Sequence, residues 1–245
     1  MINDKCLMEN EMTYRLVVTP EQITEDSIDL DLQQLHYLLR VLRLKNGDRF
    51  IALDGVGNSW IAEIEDKLGK IITAIDLNTE LPISLSLITA LPKGSGYEQV
   101  VRCCTELGVS NFIPVISDRT ILKPNPNKVQ RWRKIATEAA EQSERQIVPT
   151  IDEPVKFTTA IANIQPNQDK YICVARGDIA KLWTCLQHSN SLSIVIATGC
   201  EGGWTETEVE KAIALEFQPV SLGDRILRAV TAPIVVSSLV GAICR

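Results

Sequence analysis

Residues Ile194–Phe217, IVIATGCEGGWTETEVEKAIALEF, decide the fold. The apolar run predicts a buried strand, the glycines at 199, 202 and 203 predict a tight loop, and the remainder predicts a helix. Thr205 and Glu208, three residues apart, form a capping box that marks the start of this helix. Because glycine has no side chain and tolerates positive φ, the loop can bring its backbone close to a ligand. We therefore predict a ligand-binding turn; a merely tight strand–helix turn is the alternative.

Strands and helices alternate on either side of this stretch, from Pro82 onward. The predicted strands are Ser84–Ala90, Phe112–Ile116, Lys170–Ala175, Leu192–Ala197 and Pro219–Leu222. The predicted helices are Tyr97–Leu107, Val129–Arg145, Ile179–Leu186, Glu206–Leu215 and Ile234–Ile243. Such alternation is typical of a mostly parallel sheet with helices on both faces. Ligands of such sheets bind beyond the carboxyl ends of the strands, so we expect the site in the loops after Ala197 and Leu222.

The residues before Pro82 follow a different pattern. A helix is predicted over Leu32–Leu42, and turn signals separate three short predicted strands, Phe50–Leu53, Trp60–Ile64 and Lys70–Ile75. We predict a small β-rich domain over residues 1–80 and an α/β domain over residues 81–245.

Charged residues are distributed unevenly along the chain. The formal net charge of the 245 residues is −6, whereas a protein that binds nucleic acid is expected to be basic. Two stretches are nevertheless locally basic, and a local field can outweigh the sum. The first holds Arg40, Arg43, Lys45 and Arg49; the second holds Arg119, Lys123, Lys128, Arg131, Arg133 and Lys134. Each stretch is interpreted equally well as a nucleic-acid contact or as a solvated helix face.

Several classes of protein fit the composition poorly. The seven cysteines include no CxxC pair and only two histidines accompany them, so we expect no metal site and a reducing compartment. The most apolar stretch, Ala229–Cys244, is too short to span a bilayer. Met1–Glu11 has no secretory pattern. We expect a cytoplasmic protein without a membrane partner.

The chemistry of two loops favours a particular ligand. The glycine loop lacks both the GxGxxG and the GK[ST] pattern, and Glu201 within it would repel a phosphate. S-Adenosylmethionine, a sulfonium cation without phosphate, fits that environment. In the second loop, after Leu222, the apolar Ile226 and Leu227 stand between charged residues, and they can line a planar apolar group such as adenine.

Five motifs resemble, in order, those of the 16S ribosomal RNA (uracil-N3)-methyltransferases of the SPOUT superfamily. The family's HxLxxVLR, TELGV, EQxxR, GPEGG and LGxRILR motifs correspond to His36–Arg43, Thr105–Val109, Glu141–Arg145, Gly199–Gly203 and Leu222–Arg228. The likeness is collinear from Arg15 to Ala242. The chain departs from the family pattern at three places: Cys200 stands in place of a proline, Val230 stands in place of a carboxylate that could act as a base, and Cys103-Cys104 stands where a lysine and a small residue commonly precede TELGV.

The resemblance implies a PUA-like β-barrel that grips RNA, followed by a knotted SPOUT-type α/β domain. It implies a homodimer with its active site near the subunit interface. The implied reaction is methylation of uracil N3 by S-adenosylmethionine in 16S rRNA, either free or in the assembled small ribosomal subunit. A SPOUT enzyme acting on another RNA position, such as a ribose 2′-hydroxyl, and a non-catalytic RNA-binding ribosome-assembly protein are the alternatives.

The resemblance and the motifs together give a set of expected site residues. We expect Arg228 near the reacting centre, where a guanidinium can stabilise the developing negative charge. Around the cofactor we expect Thr198, Gly199, Glu201, Gly202, Leu222, Gly223, Ile226 and Leu227. As RNA phosphate contacts we expect Arg40, Arg43, Lys93, Arg119, Arg131 and Arg145.

Overall fold

The computed structural model describes residues 14–77 and 79–243, so the predictions on Met1–Glu11, Cys6 and Cys244 lie outside the described residues. The chain divides into two compact units. The first runs through Glu80 and includes Ala140–Val148; the second comprises Leu81–Ala139 and the chain from Pro149 onward. The return of residues 140–148 to the first unit was not anticipated from the sequence.

The first unit is built on a curled five-stranded sheet. Its elements are β1 (Arg15–Val17), β2 (Ser27–Asp29), α1 (Leu32–His36), β3 (Arg49–Leu53), β4 (Ser59–Glu65) and β5 (Leu68–Ile75). The strand order is β1-β3-β4-β5-β2, in which β1 runs parallel to β3 and the other pairs are antiparallel. Its core packs Leu16, Ile28, Leu38, Phe50, Ala62 and Ile64 together.

The helix predicted over Leu32–Leu42 has two parts. After α1 the chain continues as a π-helical turn, Tyr37–Val41, in which Leu42 N donates to Tyr37 O at 2.9 Å. Leu44 N then donates to Leu38 O, and Arg43 takes a φ of +62°. The wider turn keeps Leu38 fully buried while Arg40 and Arg43 remain exposed.

The second unit alternates strands and helices. Its elements are β6 (Ser84–Ala90), α2 (Gly96–Glu106), β7 (Asn111–Ile116), α3 (Pro126–Gln142, whose last residues belong to the first unit), β8 (Thr150–Ile151), β9 (Val155–Lys156), α4 (Phe157–Ala162), β10 (Asp169–Cys173), α5 (Leu182–Gln187), β11 (Ser193–Thr198), α6 (Glu206–Ala214), β12 (Gln218–Val220) and α7 (Thr231–Ile243).

Every pair in the second sheet is parallel, which confirms the predicted sheet type. The order is β12-β10-β11-β6-β7-β8, and β9 also pairs with β7. One core cluster joins Val195 and Ala197 of β11 to Phe157 of α4 and Ala212 of α6. Helix α7 contacts β6 and β11 and also packs against α2 and α5. All carboxyl ends of the strands therefore lie at one edge of the sheet, where the loops cluster.

The composition raised two questions, whether a helix could span a membrane and whether side chains could hold a metal ion. Within residues 14–77 and 79–243, no helix is both long and apolar enough to cross a bilayer. The same residues contain no group of three or more His, Cys, Asp or Glu side chains arranged to hold a metal ion.

Candidate functional site

A cleft of about 970 Å³ opens at the carboxyl edge of the parallel sheet. The loops after β10, β11 and β12 form its walls, together with Arg119, which follows β7. Seven of the eight residues expected around a cofactor line it: Gly199, Glu201, Gly202, Leu222, Gly223, Ile226 and Leu227. The loops predicted to carry the site are therefore brought together by the sheet.

Close backbone packing shapes the glycine loop, which we define as residues 199–204. Gly203 has a φ of +67°, and its N donates to Cys200 O at 2.9 Å to close a turn. A Cβ at Gly199 would lie 3.1 Å from the Cα of Gly203, so a side chain there would crowd the backbone of the loop. At the end of the loop, Thr205 Oγ1 accepts from Glu208 N and Glu208 Oε2 accepts from Thr205 N. The predicted capping box is thus present and starts α6.

The structure does not place Thr198 among the residues that line the cleft. Its side chain is fully buried, and its Oγ1 donates to Thr89 Oγ1 at 3.4 Å across the paired strands β11 and β6. Both faces of β11 are covered, so the side chain of its last residue is enclosed within the protein. Thr198 therefore supports the sheet, and its expected contact with a cofactor is corrected accordingly.

Glu201 joins two loops. Its Oε1 accepts from the backbone N of Lys93, in the segment after β6, at 3.0 Å. The contact fixes the carboxylate at the rim of the cleft while the side chain of Lys93 stays exposed. Glu201 therefore lines the cleft and also ties the loop after β11 to the segment after β6.

The loop after β12 presents an apolar surface. Gly223 has a φ of +117°, and Ser221 Oγ braces it by accepting from Gly223 N at 3.1 Å and donating to Gly223 O. Beyond this turn, Ile226 lines the cleft with 69% of its surface exposed, and Leu227 is half-buried beside it. An exposed isoleucine in the wall of a cleft is suited to contact an apolar ligand group.

Arg228 is exposed at the end of the same loop. Its carbonyl accepts from Thr231 N and Ala232 N and so starts α7. Among the described residues it is Arg225, rather than Arg228, that lines the cleft. Val230 packs against the start of α2: a Cβ at Gly96 would lie only 2.9 Å from its Cγ2. The position where the family carries a carboxylate is thus an apolar contact here.

The six expected phosphate contacts have different environments. Arg40, Arg43 and Lys93 are exposed. Arg131 is exposed but makes two hydrogen bonds to the carboxylate of Glu98, at 2.8 and 2.9 Å. Arg119 donates from Nη1 to Gly202 O and Trp204 O and is therefore directed at the glycine loop.

Arg145 is a correction. It is 3% exposed, and its guanidinium is bonded to the carboxylate of Glu80, with the shortest distance, 2.7 Å, from Nη2 to Oε2. A buried and paired guanidinium cannot reach a phosphate, so Arg145 is a structural residue.

Sequence reasoning missed one wall of the cleft. Arg176 and Ile179, in the loop after β10, line it. The strand there was predicted to run to Ala175, but β10 ends at Cys173, so the start of this loop was assigned to the strand. A glycine at 177, with a φ of +116°, was the available signal for a turn.

Trp204 was also missed as a lining residue. It is 8% exposed and stacks on Phe157 at 4.2 Å between ring centroids. Among the described residues its buried Nε1 has no hydrogen-bond partner. A buried donor without an acceptor is costly, so an oxygen supplied by a ligand would stabilise this site.

The charges of the lining suit a ligand that carries both signs. Three arginines and three glutamates line the cleft: Arg119, Arg176, Arg225, Glu201, Glu206 and Glu210. Burial raises the pKa of the Cys173 thiol to about 12, so this cleft residue stays protonated near neutral pH and is not a nucleophile. The cleft is therefore equipped to hold and orient a ligand rather than to attack one.

Comparison with known proteins gives consistent matches over the whole chain. The models of an RNA methyltransferase domain and an RNA methyltransferase PUA domain match residues 79–241 and 30–75. The chain is 47% identical to the ribosomal RNA small subunit methyltransferase E of Synechocystis sp. over 99% of its length and 82% of the relative's. It is 32% identical to the protein of the same name from Bacillus subtilis, with 90% and 92% covered.

Solved structures agree with these matches. The ribosomal RNA small subunit methyltransferase E of Neisseria gonorrhoeae, bound to S-adenosyl methionine, has a TM-score of 0.85 at 29% identity, with 94% of this chain and 97% of that chain covered. A methyltransferase of Legionella pneumophila in complex with the cofactor gives 0.81 at 26% identity, with 94% and 97% covered. The expected architecture, a SPOUT-type domain preceded by a PUA-like unit, is confirmed; the knot stays a prediction.

Proposed function

This chain belongs to the ribosomal RNA small subunit methyltransferase E family of RNA methyltransferases, and from that premise we propose that it methylates N3 of a uracil in 16S rRNA. The methyl donor is S-adenosylmethionine. One observation carries the proposal: the glycine loop and the loop after β12 meet around a single cleft at the carboxyl edge of a parallel sheet.

The residues of the cleft fit the donor. Ile226 and Leu227 give an apolar wall for adenine, and Gly199 and Gly202 let the backbone approach the nucleoside. The arginines and glutamates of the lining suit the carboxylate and ammonium of its amino-acid end, and Trp204 offers a buried donor without a partner among the described residues. When bound, S-adenosylmethionine supplies an electrophilic methyl group on its sulfonium sulfur.

The target nitrogen sets two requirements on the protein. Uracil N3 is a weak acid that must lose its proton before it can accept a methyl group, and we assign Arg228 to stabilise the negative charge that develops. Val230 provides no carboxylate to accept the proton. Because N3 is paired in a duplex, the nucleotide must be unpaired or splayed out of the RNA.

The RNA contacts and the assembly complete the proposal. We assign Arg40, Arg43 and Lys93 to phosphates, and Arg131 as a further contact that would exchange its pairing with Glu98 for a phosphate. The substrate is 16S rRNA, free or within the small ribosomal subunit, in the cytoplasm. The chain acts as a homodimer, and light scattering coupled to size exclusion tests this: a mass of one 27.2 kDa chain would contradict it.

Two measurements test the function. Calorimetry on the purified protein should detect binding of S-adenosylmethionine. Mass spectrometry of nucleosides from 16S rRNA should show that a deletion strain lacks one N3-methyluridine and that the wild-type gene restores it, whereas a gene encoding Arg228→Ala does not. Retention of N3-methyluridine in the deletion strain would refute the assignment, and loss of a 2′-O-methyl nucleoside instead would identify the alternative target.

A further inference from the structure

A short turn after β7 contacts the glycine loop, although β6 lies between β7 and β11 in the sheet. Thr120 N donates to Ser117 O at 3.0 Å, and Ser117 N donates to Thr120 Oγ1 at the same distance. Ser117 is 4% exposed and its Oγ lies 3.7 Å from Cys200 Sγ. The turn is therefore held by its own hydrogen bonds and packs on the loop without any ligand.

Arg119, within this turn, makes the most direct contact. Its Nη1 donates to Gly202 O at 2.6 Å and to Trp204 O at 3.1 Å, so one guanidinium nitrogen bridges two carbonyls of the loop. The stem of the same side chain occupies the space beside Gly202: a Cβ there would lie 3.0 Å from Cδ and 3.1 Å from Cβ of Arg119. A side chain at residue 202 would therefore crowd the stem of Arg119.

The neighbouring residue extends the connection into α6. Asp118 N donates to Glu208 Oε1 at 2.9 Å, and Thr205 Oγ1 donates to Asp118 Oδ2 at 3.2 Å. Glu208 is 3% exposed, and its Oε2 also accepts a hydrogen bond from Thr205 N at 2.8 Å. The turn, the end of the glycine loop and the start of α6 form one hydrogen-bonded network, in which Arg119 is the member that acts on the loop carbonyls.

We propose that Arg119 is a positioning residue that fixes the glycine loop for the methyl donor, and not an RNA phosphate contact. By holding the carbonyls of Gly202 and Trp204 in place, its guanidinium orients the peptide groups between them, which line the cleft. Its action is on the loop rather than on the reacting atoms. The inference rests on the proposed function, because it takes the ligand of this cleft to be S-adenosylmethionine.

Three variants separate the contributions of Arg119. Arg119→Met keeps an apolar stem but removes both hydrogen bonds, and Arg119→Lys restores a charged donor without the planar fork. Arg133→Met is the matched control, since it removes a guanidinium of the same unit that pairs with Glu153 instead of the loop. Affinity for S-adenosylmethionine is measured by calorimetry, and amide hydrogen exchange over residues 199–204 is measured without ligand.

We expect Arg119→Met to weaken donor affinity by about tenfold or more, because hydrogen bonds from a charged donor are the stronger ones. Exchange over the loop should become faster in the same variant, lysine should restore part of both properties, and Arg133→Met should match the wild type. In turnover, KM for the donor should rise while kcat at saturation changes little, as expected for an interaction equally present in ground and transition states.

Each other outcome decides a different point. If the wild type itself does not bind the donor, the proposed function fails. If it does and Arg119→Met binds equally well with unchanged exchange, the positioning role is wrong. Unchanged donor affinity with weakened RNA binding and a shallower salt dependence would make Arg119 a phosphate contact after all. Should the methionine variant not fold, the lysine variant decides by the same affinity criterion.

Discussion

Arg145 belongs to the EQxxR motif, yet its side chain is buried and has a structural role. Its side chain is 4% exposed, and the carboxylate of Glu80 accepts from both its Nε and its Nη2. The other oxygen, Oε1 of Glu80, accepts from Ile147 N at 3.1 Å. The ion pair and the backbone hydrogen bond therefore connect residues 145–147 to Glu80, which belongs to the same unit.

Removal of this guanidinium should destabilise the protein. Arg145→Ala leaves Glu80 without its partner, and breaking a buried pair costs on the order of 3 kcal/mol in unfolding free energy. Denaturant titration of the wild type and the variant measures the loss. Arg131→Ala, at a side chain 65% exposed, is the control and should change the unfolding free energy by less than about 1 kcal/mol. Equal costs for the two variants would contradict the structural role of Arg145.

The buried thiol of Cys104 predicts a pH dependence. Burial raises its pKa from 9.0 to about 12, so above pH 9 the unfolded chain releases a proton that the folded chain keeps. Stability is therefore fully present below pH 9 and is lost as the pH rises toward 12. Alanine has no thiol to ionise, so the variant does not lose stability in this way. The loss of unfolding free energy caused by Cys104→Ala should therefore become smaller above pH 9, by up to about 1.4 kcal/mol per pH unit.

Urea titrations at several pH values between 8 and 11 measure this difference. Val100→Ala is the matched control, because it truncates a fully buried side chain on the same helix α2 without removing a titratable group. Its cost should not vary with pH. If the cost of Cys104→Ala is equally constant, the thiol ionises as readily in the folded protein as in the unfolded chain.

At the scale of elements, the glycine loop and the Arg119 turn act as a pair. A Cβ at residue 202 would meet the stem of Arg119, so Gly202→Ala has to displace that side chain and Gly202→Val has to displace it further. We expect both variants to fold and to bind S-adenosylmethionine more weakly, with valine abolishing measurable binding. Calorimetry measures affinity, and thermal unfolding checks the fold.

A double-mutant cycle tests the cause. Arg119→Ala removes Cγ and Cδ and keeps only the Cβ that would lie 3.1 Å from a Cβ at residue 202, so in this background Gly202→Ala should cost less affinity than it does in the wild type. Strict additivity of the two changes would mean that the side chain at residue 202 obstructs the ligand directly. Normal affinity in Gly202→Val would remove the loop from the site altogether.

The elements themselves were predictable to different degrees. Strand β6 has the predicted bounds, and α6 starts at the predicted residue, because a buried apolar run and a capping box are local signals. Strands β8 and β9 have only two residues each, too few to show a period. The Arg119 contact joins residues 83 apart in the chain, and no local pattern records such a contact.

At the scale of the molecule, the sheet order decides which loops meet. Strand β10 lies between β11 and β12 in the sheet, and the loop after it contributes the wall that holds Arg176. Alternation of strands and helices predicts parallel pairing but not the order of the strands. The motifs therefore identified two walls of the cleft and missed the third.

The net charge of −6 makes the salt dependence of RNA binding informative. If local basic residues hold the phosphates, the exposed Arg40 and Arg43 each release counterions, and replacing both by alanine should reduce the slope of log K against log salt by about 1.4 for single-stranded RNA. Filter binding to a 16S rRNA fragment at several salt concentrations measures the slope, and calorimetry should show unchanged affinity for S-adenosylmethionine. Arg49→Ala is the control, since Arg49 lies on the same unit but pairs with Glu63 at 3.4 Å. A slope unaltered by the double replacement would mean that the RNA phosphates are bound elsewhere, and that the first unit does not contact them through the turn after α1.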